Sequence, residues 1–332
     1  LENVKEEPQW GWVSGRHLLE TRIDEETALM GGFPHLCLRQ AQRKIPNALL
    51  QAECRMVELH RLAEKEGDFI SRKERRQIKQ EVTERLLPDM PPQLTGIPLT
   101  IDTTNGLLYA GATSDRSVDQ LLAYLNQTLG FEPIPLTPES AVTRFTEHNP
   151  DTLPLLNFSP ELDDTGACGH VGQDFLTWLW YYQEKNEAHL PKTQLGEFGL
   201  MIDGPLVFVS EGRGALESTI RKGLPTLSAE AKAALTVGKK LRQAKLILTR
   251  AQTEIWEFTL DADNFVFKSM KLPEGEAMDP ASVFEERITN LYIFQKLFYE
   301  LFRMFVGSVT DQAKFQTLLQ ETKAWVQSMD AR

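Results

Sequence analysis

Cysteine is scarce in this sequence: Cys37, Cys54 and Cys168 are its only three in 332 residues. So few and scattered thiols exclude a disulfide framework and point to a reducing, cytoplasmic setting. Long apolar runs are missing too. The longest, from Leu291 to Val306, is broken by Gln295, Lys296, Glu300 and Arg303, short of the roughly 18 residues a membrane span needs. Leu1 to Trp12 is acidic and polar, without the pattern of a signal peptide. An initiator methionine is also lacking, so residues are expected to precede Leu1. Neither a phosphate-cradling Walker loop nor a serine nucleophile elbow is present. Gly212-Arg213-Gly214 is too short a motif to stand for the first. What remains is an ordinary globular composition, 41 % hydrophobic and 25 % charged, long enough for about two domains of roughly 150 residues.

The net charge is −11, which by itself disfavours a nucleic-acid partner. Its distribution is uneven. Between Arg213 and Arg250 nine cations face only Glu217 and Glu230, whereas Glu147 to Glu211 holds eleven acids against Lys185 and Lys192. A second basic cluster comprises Arg72, Lys73, Arg75, Arg76, Lys79 and Arg85, diluted by Glu74, Glu81 and Glu84. An acidic body with two basic blocks can bind a polyanion through one face. The same counts also fit solvated surfaces that pair internally.

Phe33 to Arg39 alternates as a short strand, and Pro46 opens a helix that Gly67 interrupts. Ser71 and Glu74 make a capping box for a second helix through Ile78, Val82 and Leu86, ending before Pro88. Together Pro46 to Pro88 predicts a helical hairpin with Arg72, Arg75, Arg76 and Lys79 on one face. Leu99 to Ala112 predicts a β-hairpin turning at Asn105-Gly106, followed by an amphipathic helix from Ser114 to Gly130. Phe131 to Asp164, rich in proline and acids, predicts a long connection. Gln173 to Gln183 carries Phe175, Trp178, Leu179 and Tyr182 at helix spacing and predicts a core helix. Gly199 to Ser210 predicts a hairpin at Asp203-Gly204, and Ser228 caps a helix to Val237. Ala244–Thr249, Glu254–Leu260 and Phe265–Met270 predict strands. Pro280 to Phe305 and Gln312 to Met329 predict closing helices.

Metal chemistry finds weak footing. A zinc site needs about four ligands, and the six histidines offer only Cys168-Gly169-His170 and His35-Leu36-Cys37. Asp102, Asp115 and Asp119 could gather into a two-metal nuclease centre, but Asp102 precedes a turn and Asp115 sits in a first helical turn, where acids are favoured anyway. No metal, cofactor or catalytic residue is therefore expected.

Several stretches together resemble the bacterial recombination-associated RdgC family. They are Gly11-Trp12-Val13, Ile45-Pro46 through the hairpin to Glu84-Arg85-Leu86-Leu87-Pro88, and Ile101-Asp102-Thr103-Thr104-Asn105-Gly106-Leu107. Further on, Ser228-Ala229-Glu230, Gly238-Lys239-Lys240-Leu241 and Lys245-Leu246-Ile247-Leu248 are similar to the family's later runs. Pro138 to Glu211 matches poorly. The resemblance implies a non-enzymatic protein that binds double-stranded DNA with little sequence preference. It also implies a closed homodimeric ring around the duplex, restraint of RecA-driven recombination, and a nucleoid location. It places the helical hairpin in the tip of the ring and the C-terminal helices in a dimerising base. Where the family has a basic, aromatic finger, this chain has Asp89-Met90-Pro91. The helix from Gln312 also extends past the family's usual end.

The expected fold is thus α+β: antiparallel sheets with packed helices, a protruding helical hairpin and a helical C-terminal region. Residues 1–45 with 89–137, 46–88, 138–170, 171–280 and 281–332 are its expected segments. The expected DNA-binding residues are Arg72, Lys73, Arg75, Arg76, Lys79, Arg221, Lys222, Lys239, Lys240 and Arg242. The rival readings are a protein-interaction scaffold in recombination or phage defence, and a metal-dependent nuclease.

Overall fold

The structure is a computed structural model that describes residues 4–64, 69–163, 169–210, 216–251 and 253–328. Gly67, Cys168 and the motif Gly212-Arg213-Gly214 lie outside these residues. Contacts divide the chain into two units between Thr128 and Leu129.

The first unit is built on an antiparallel sheet of order β1-β3-β4-β5, from β1 (Gln9–Ser14), β3 (Phe33–Gln42), β4 (Gln93–Asp102) and β5 (Leu107–Ala110). A short α1 (Glu25–Ala28) and β2 (Leu29–Met30) precede β3, and β2 pairs with it. Alternation puts Trp10, Trp12, Leu36, Leu38, Ile97, Leu99, Ile101 and Leu108 on one face. Over that face lies α4 (Asp115–Leu129), burying Leu121 and Leu125. The Trp12 indole N–H donates to Thr128 Oγ1 at 2.9 Å, and the Tyr124 hydroxyl donates to the Trp10 carbonyl at 3.1 Å. The expected hairpin at Asn105-Gly106 joins β4 to β5, with Gly106 at φ 64° as the turn demands.

On the opposite face His35 is wedged against Gly15, where a Cβ would run into the imidazole. Its Nδ1 lies 3.1 Å from the Leu99 carbonyl oxygen and 2.9 Å from Thr100 Oγ1. Burial holds this imidazole below its ordinary value of 6.5, against the pull of the Leu99 and Gly15 backbone. The folded state therefore favours neutral His35, while the unfolded chain takes up a proton as pH falls through 6.5. The contribution of His35 is complete above that pH and shrinks below it. Urea melts at pH 7.5 and 5.5 should show a larger loss for the wild-type chain than for His35→Gln.

Between the adjacent strands β3 and β4 the chain makes α2 (Asn47–Glu64) and α3 (Arg72–Leu86). These two helices pack on each other through a small cluster of their own, in which Ile70, Ile78 and Val82 are buried among Leu50, Cys54, Val57, Leu62 and Leu86. Ion pairs Arg61–Glu81 at 2.5 Å and Arg85–Glu53 at 2.6 Å show that they run antiparallel. At their root the Arg43 guanidinium donates to the carbonyls of Val4, Pro88 and Met90.

The second unit carries a sheet of order β10-β9-β8-β6-β7, all neighbours antiparallel. Its strands are β6 (Phe198–Val209), β7 (Glu217–Ile220), β8 (Lys240–Arg250), β9 (Glu254–Asp261) and β10 (Val266–Lys271). The helices are α5 (Pro138–Thr146), α6 (Val171–Lys185), α7 (Ala229–Thr236), α8 (Pro280–Thr310) and α9 (Gln312–Ser328). Eleven consecutive residues of α6, Val171 to Tyr181, are buried, because the helix has the sheet on one side and α8 and α9 on others. Ala244, Leu246 and Leu248 of β8 and Trp256, Phe258 and Leu260 of β9 point inward at period two. The α+β class, the antiparallel sheets and the helical C-terminal region are as expected.

Two expectations are corrected. Gly199 to Ser210 is no hairpin: β6 runs straight through, and Asp203-Gly204-Pro205 forms a register shift between Asp203 and Val207. Proline, which has no N–H, is tolerated at such a bulge. Phe131 to Asp164 is no mere connection either. It holds α5, capped by Thr137, and puts Ala141, Val142, Leu153, Leu156 and Phe158 into the main core.

Candidate nucleic-acid interface

Helix α3 is mostly charged, and its apolar spacing decides where the charges go. Ile78 and Val82 must face α2, which turns Arg72, Lys73, Arg75, Arg76 and Lys79 outward, all exposed. The helix starts at Ser71, whose Oγ accepts from the Glu74 N–H at 3.3 Å while the Glu74 carboxylate accepts from the Ser71 N–H at 2.9 Å. Acids on the pair are engaged along the seam: Glu53 with Arg85, Glu81 with Arg61, and Glu58 with Arg55 at 3.2 Å and Arg75 at 3.6 Å. Arg72, Lys73, Arg76 and Lys79 form no ion pair among the described residues. Cations in a first helical turn oppose the helix dipole, so helix stability alone would not place Arg72 and Lys73 there.

The second basic block is largely neutralised across the sheet. Lys240 is buried, its Nζ 2.5 Å from Asp174 Oδ1, with side chains 6 % and 1 % exposed. Lys239 is buried too and donates to Ser218 Oγ at 2.7 Å. Both are therefore corrected: they hold the interior and present no charge to a polyanion. Arg242 is partly engaged, 3.0 Å from Asp263 and 3.4 Å from Glu217. Lys245 lies between Asp203 and Glu257, and Arg250 is held by Glu254 through two nitrogens. Arg221 and Lys222, just past β7, stay exposed; neither forms an ion pair among the described residues.

Asp174 was the residue that sequence reasoning passed over. It sits in the first turn of α6, wholly buried, and its Oδ2 accepts from the Leu156 N–H at 2.8 Å. Burial pushes its carboxyl up, while Lys240 and the Leu156 N–H pull it down. A lone aspartate among Phe175, Trp178 and Leu179 was the available signal.

The carboxylates weighed for metal do not assemble. Asp102 is buried and accepts from the Asn105 N–H at 3.0 Å and side-chain amide at 2.7 Å, serving its turn. Asp115 and Asp119 are exposed on α4. Among the described residues no three His, Cys, Asp or Glu side chains are grouped to hold a metal ion. No helix among them is long and apolar enough to cross a membrane.

Residues 3–148 match a family model described as "Putative exonuclease, RdgC". Recombination-associated protein RdgC of Yersinia enterocolitica is 29 % identical over 133 residues, covering 40 % of this chain and 43 % of that protein. That of Serratia proteamaculans is 28 % identical over the same length and shares. The match thus spans under half the length of these relatives. The runs around Ser228 and Gly238 lie beyond the residues matched by the family model. The helix pair α2–α3 with its basic face falls inside them, and it is over residues 3–148 that this chain is similar to the RdgC family.

Proposed function

We propose that this chain is a recombination-associated protein that binds double-stranded DNA without sequence preference and performs no catalysis. The observation that carries this reading is the row Arg72, Lys73, Arg76 and Lys79 on α3, exposed and without ion pairs among the described residues, inside the RdgC-like stretch. Lysine and arginine contacts to phosphate supply affinity through counterion release and carry no base information. Arg75, Arg221, Lys222 and the exposed part of Arg242 add to the contact. Net acidity then confines binding to these places.

The proposed assembly is a ring-shaped homodimer in the cytoplasm, associated with the nucleoid, whose occupation of duplex restrains RecA. Support for self-association comes from α2, which buries none of its residues fully and leaves Leu49, Met56 and Leu59 at 37, 56 and 52 % exposure. A protruding hairpin would carry this surface to a second copy.

A low-salt mobility assay with arbitrary duplexes tests the reading, beside a solution mass. Binding should be micromolar or tighter and fall steeply with salt. Replacing Arg72, Arg76 and Lys79 together by glutamate should weaken it about tenfold to a hundredfold and lower the salt slope by about 3, roughly one per phosphate contact. The mass should be about twice 37.7 kDa. Unchanged binding in the triple variant refutes the site. Degradation of the duplex with magnesium or manganese refutes the non-catalytic reading.

A further inference from the structure

The second unit also holds a groove that contains none of the proposed DNA-binding residues. It lies between the C-terminal end of α6, the middle of β6 and the turn Leu224–Leu227, with a volume of about 350 Å³. Its wall is apolar and open: Met201 is 50 % exposed, Leu224 70 % and Leu227 63 %. Single exposed leucines are ordinary, whereas several large apolar side chains on one wall mark an interaction surface.

That wall is fixed in place. The Leu227 N–H donates to the Leu224 carbonyl at 3.0 Å, and the Ser228 hydroxyl donates to the Pro225 carbonyl at 2.9 Å. Pro225 is buried against Gly204, where a Cβ would strike its ring. The leucines are therefore presented at little ordering cost to a partner.

The rim is of one sign. Glu184, Glu187 and Asp203 line the groove, and among the described residues no lysine or arginine does. Glu184 is held by the indole N–H groups of Trp180 and Trp325, at 2.8 and 3.0 Å, which fix its carboxylate in place. Glu187 is exposed at the end of α6, and Asp203 is 44 % exposed, 3.6 Å from Lys245. Phosphates of a nucleic acid or an anionic lipid surface would meet the exposed carboxylate of Glu187 here, with Asp203 beside it.

We propose that this groove docks a short linear peptide of a partner protein, in which leucine-like side chains are flanked by lysine or arginine. The apolar side chains cover Met201, Leu224 and Leu227, and the cations reach Glu187 and Asp203. The peptide supplies the charge that the groove lacks, which sets this surface apart from the polyanion-binding face of α3.

Fluorescence anisotropy with the full chain tests this. The probe is a labelled peptide alternating lysine and leucine, beside one with glutamate for lysine and one with alanine for leucine. The lysine–leucine peptide should bind about tenfold or more tightly than either counterpart, as one lost leucine contact or a reversed charge implies. Leu224→Asp, Leu227→Asp and Glu187→Lys alter exposed side chains and should each weaken it about tenfold. Equal binding of the glutamate or alanine peptide overturns the proposal, as does wild-type affinity in all three variants. Self-association that Leu224→Asp abolishes, with no peptide bound, overturns it in favour of a second copy of this chain.

Discussion

Lys240→Ala should destabilise the second unit by about 3–5 kcal/mol, measured by urea unfolding at neutral pH. The cause is the carboxylate left behind. Asp174 is 1 % exposed and keeps one N–H donor, from Leu156, once the ammonium is gone. Burial already pushes this carboxyl up, and without Lys240 it rises further. Its folded-state value then stands above that of the unfolded chain, so the damage is greatest at neutral pH and is relieved as acid protonates the group. Removing both charges, as Lys240→Met with Asp174→Leu, should recover much of the loss, since an apolar pair avoids the desolvation penalty. A single variant as stable as wild type would show that the pair carries no such weight. If Lys240 instead served as a phosphate contact, the single variant would lose DNA affinity while keeping its stability.

Phe175→Ala should cost a similar amount, about 3–5 kcal/mol. The ring is fully buried, and its centroid lies 5.1 to 6.1 Å from those of Trp178, Phe265, Phe298, Phe302 and Phe305. Aromatic packing from α6, α8 and the β9–β10 turn, stacked from Trp178 and edge-on from Phe265, Phe298 and Phe302, meets at this one side chain, so truncation opens a cavity that no single element can close. Phe175→Leu, which keeps most of the volume, should lose less than half as much. Denaturation followed by tryptophan fluorescence reads both, because Trp178, Trp180, Trp256 and Trp325 report on this unit. Equal stability of the alanine and leucine variants would contradict the packing argument.

Local chemistry explains which elements were legible in advance. The Ser71–Glu74 box, the Asn105-Gly106 turn and the alternation of Ala244–Thr249 each encode their element within a few residues, and each is found. The failures share a cause in distant partners. Asp203-Gly204 carries a turn signal, yet pairing with β8 on both sides of it keeps β6 a single strand. Residues 138 to 158 look like a linker because their apolar residues are spaced by prolines and acids. Only the main core, which α5 reaches through α6 and α8, gives Val142 a place to be buried, and Phe158 is buried in the same core. The basic block misled most. Asp174, Asp203, Glu257 and Asp263 lie in other elements, so a running charge count misses the carboxylates that meet Lys240, Lys245 and Arg242. The row on α3 was readable because its spacing is internal to one helix.

The separate small cluster between α2 and α3 gives this part of the chain its own opening equilibrium. Three buried residues and the Arg43 anchor hold far less than the sheet below, so amide hydrogens of the two helices should exchange with solvent deuterium well before those of β3 and β4. A duplex seated on the outer row would slow that exchange at α2 and α3 first, leaving a footprint readable by mass spectrometry without altering any side chain.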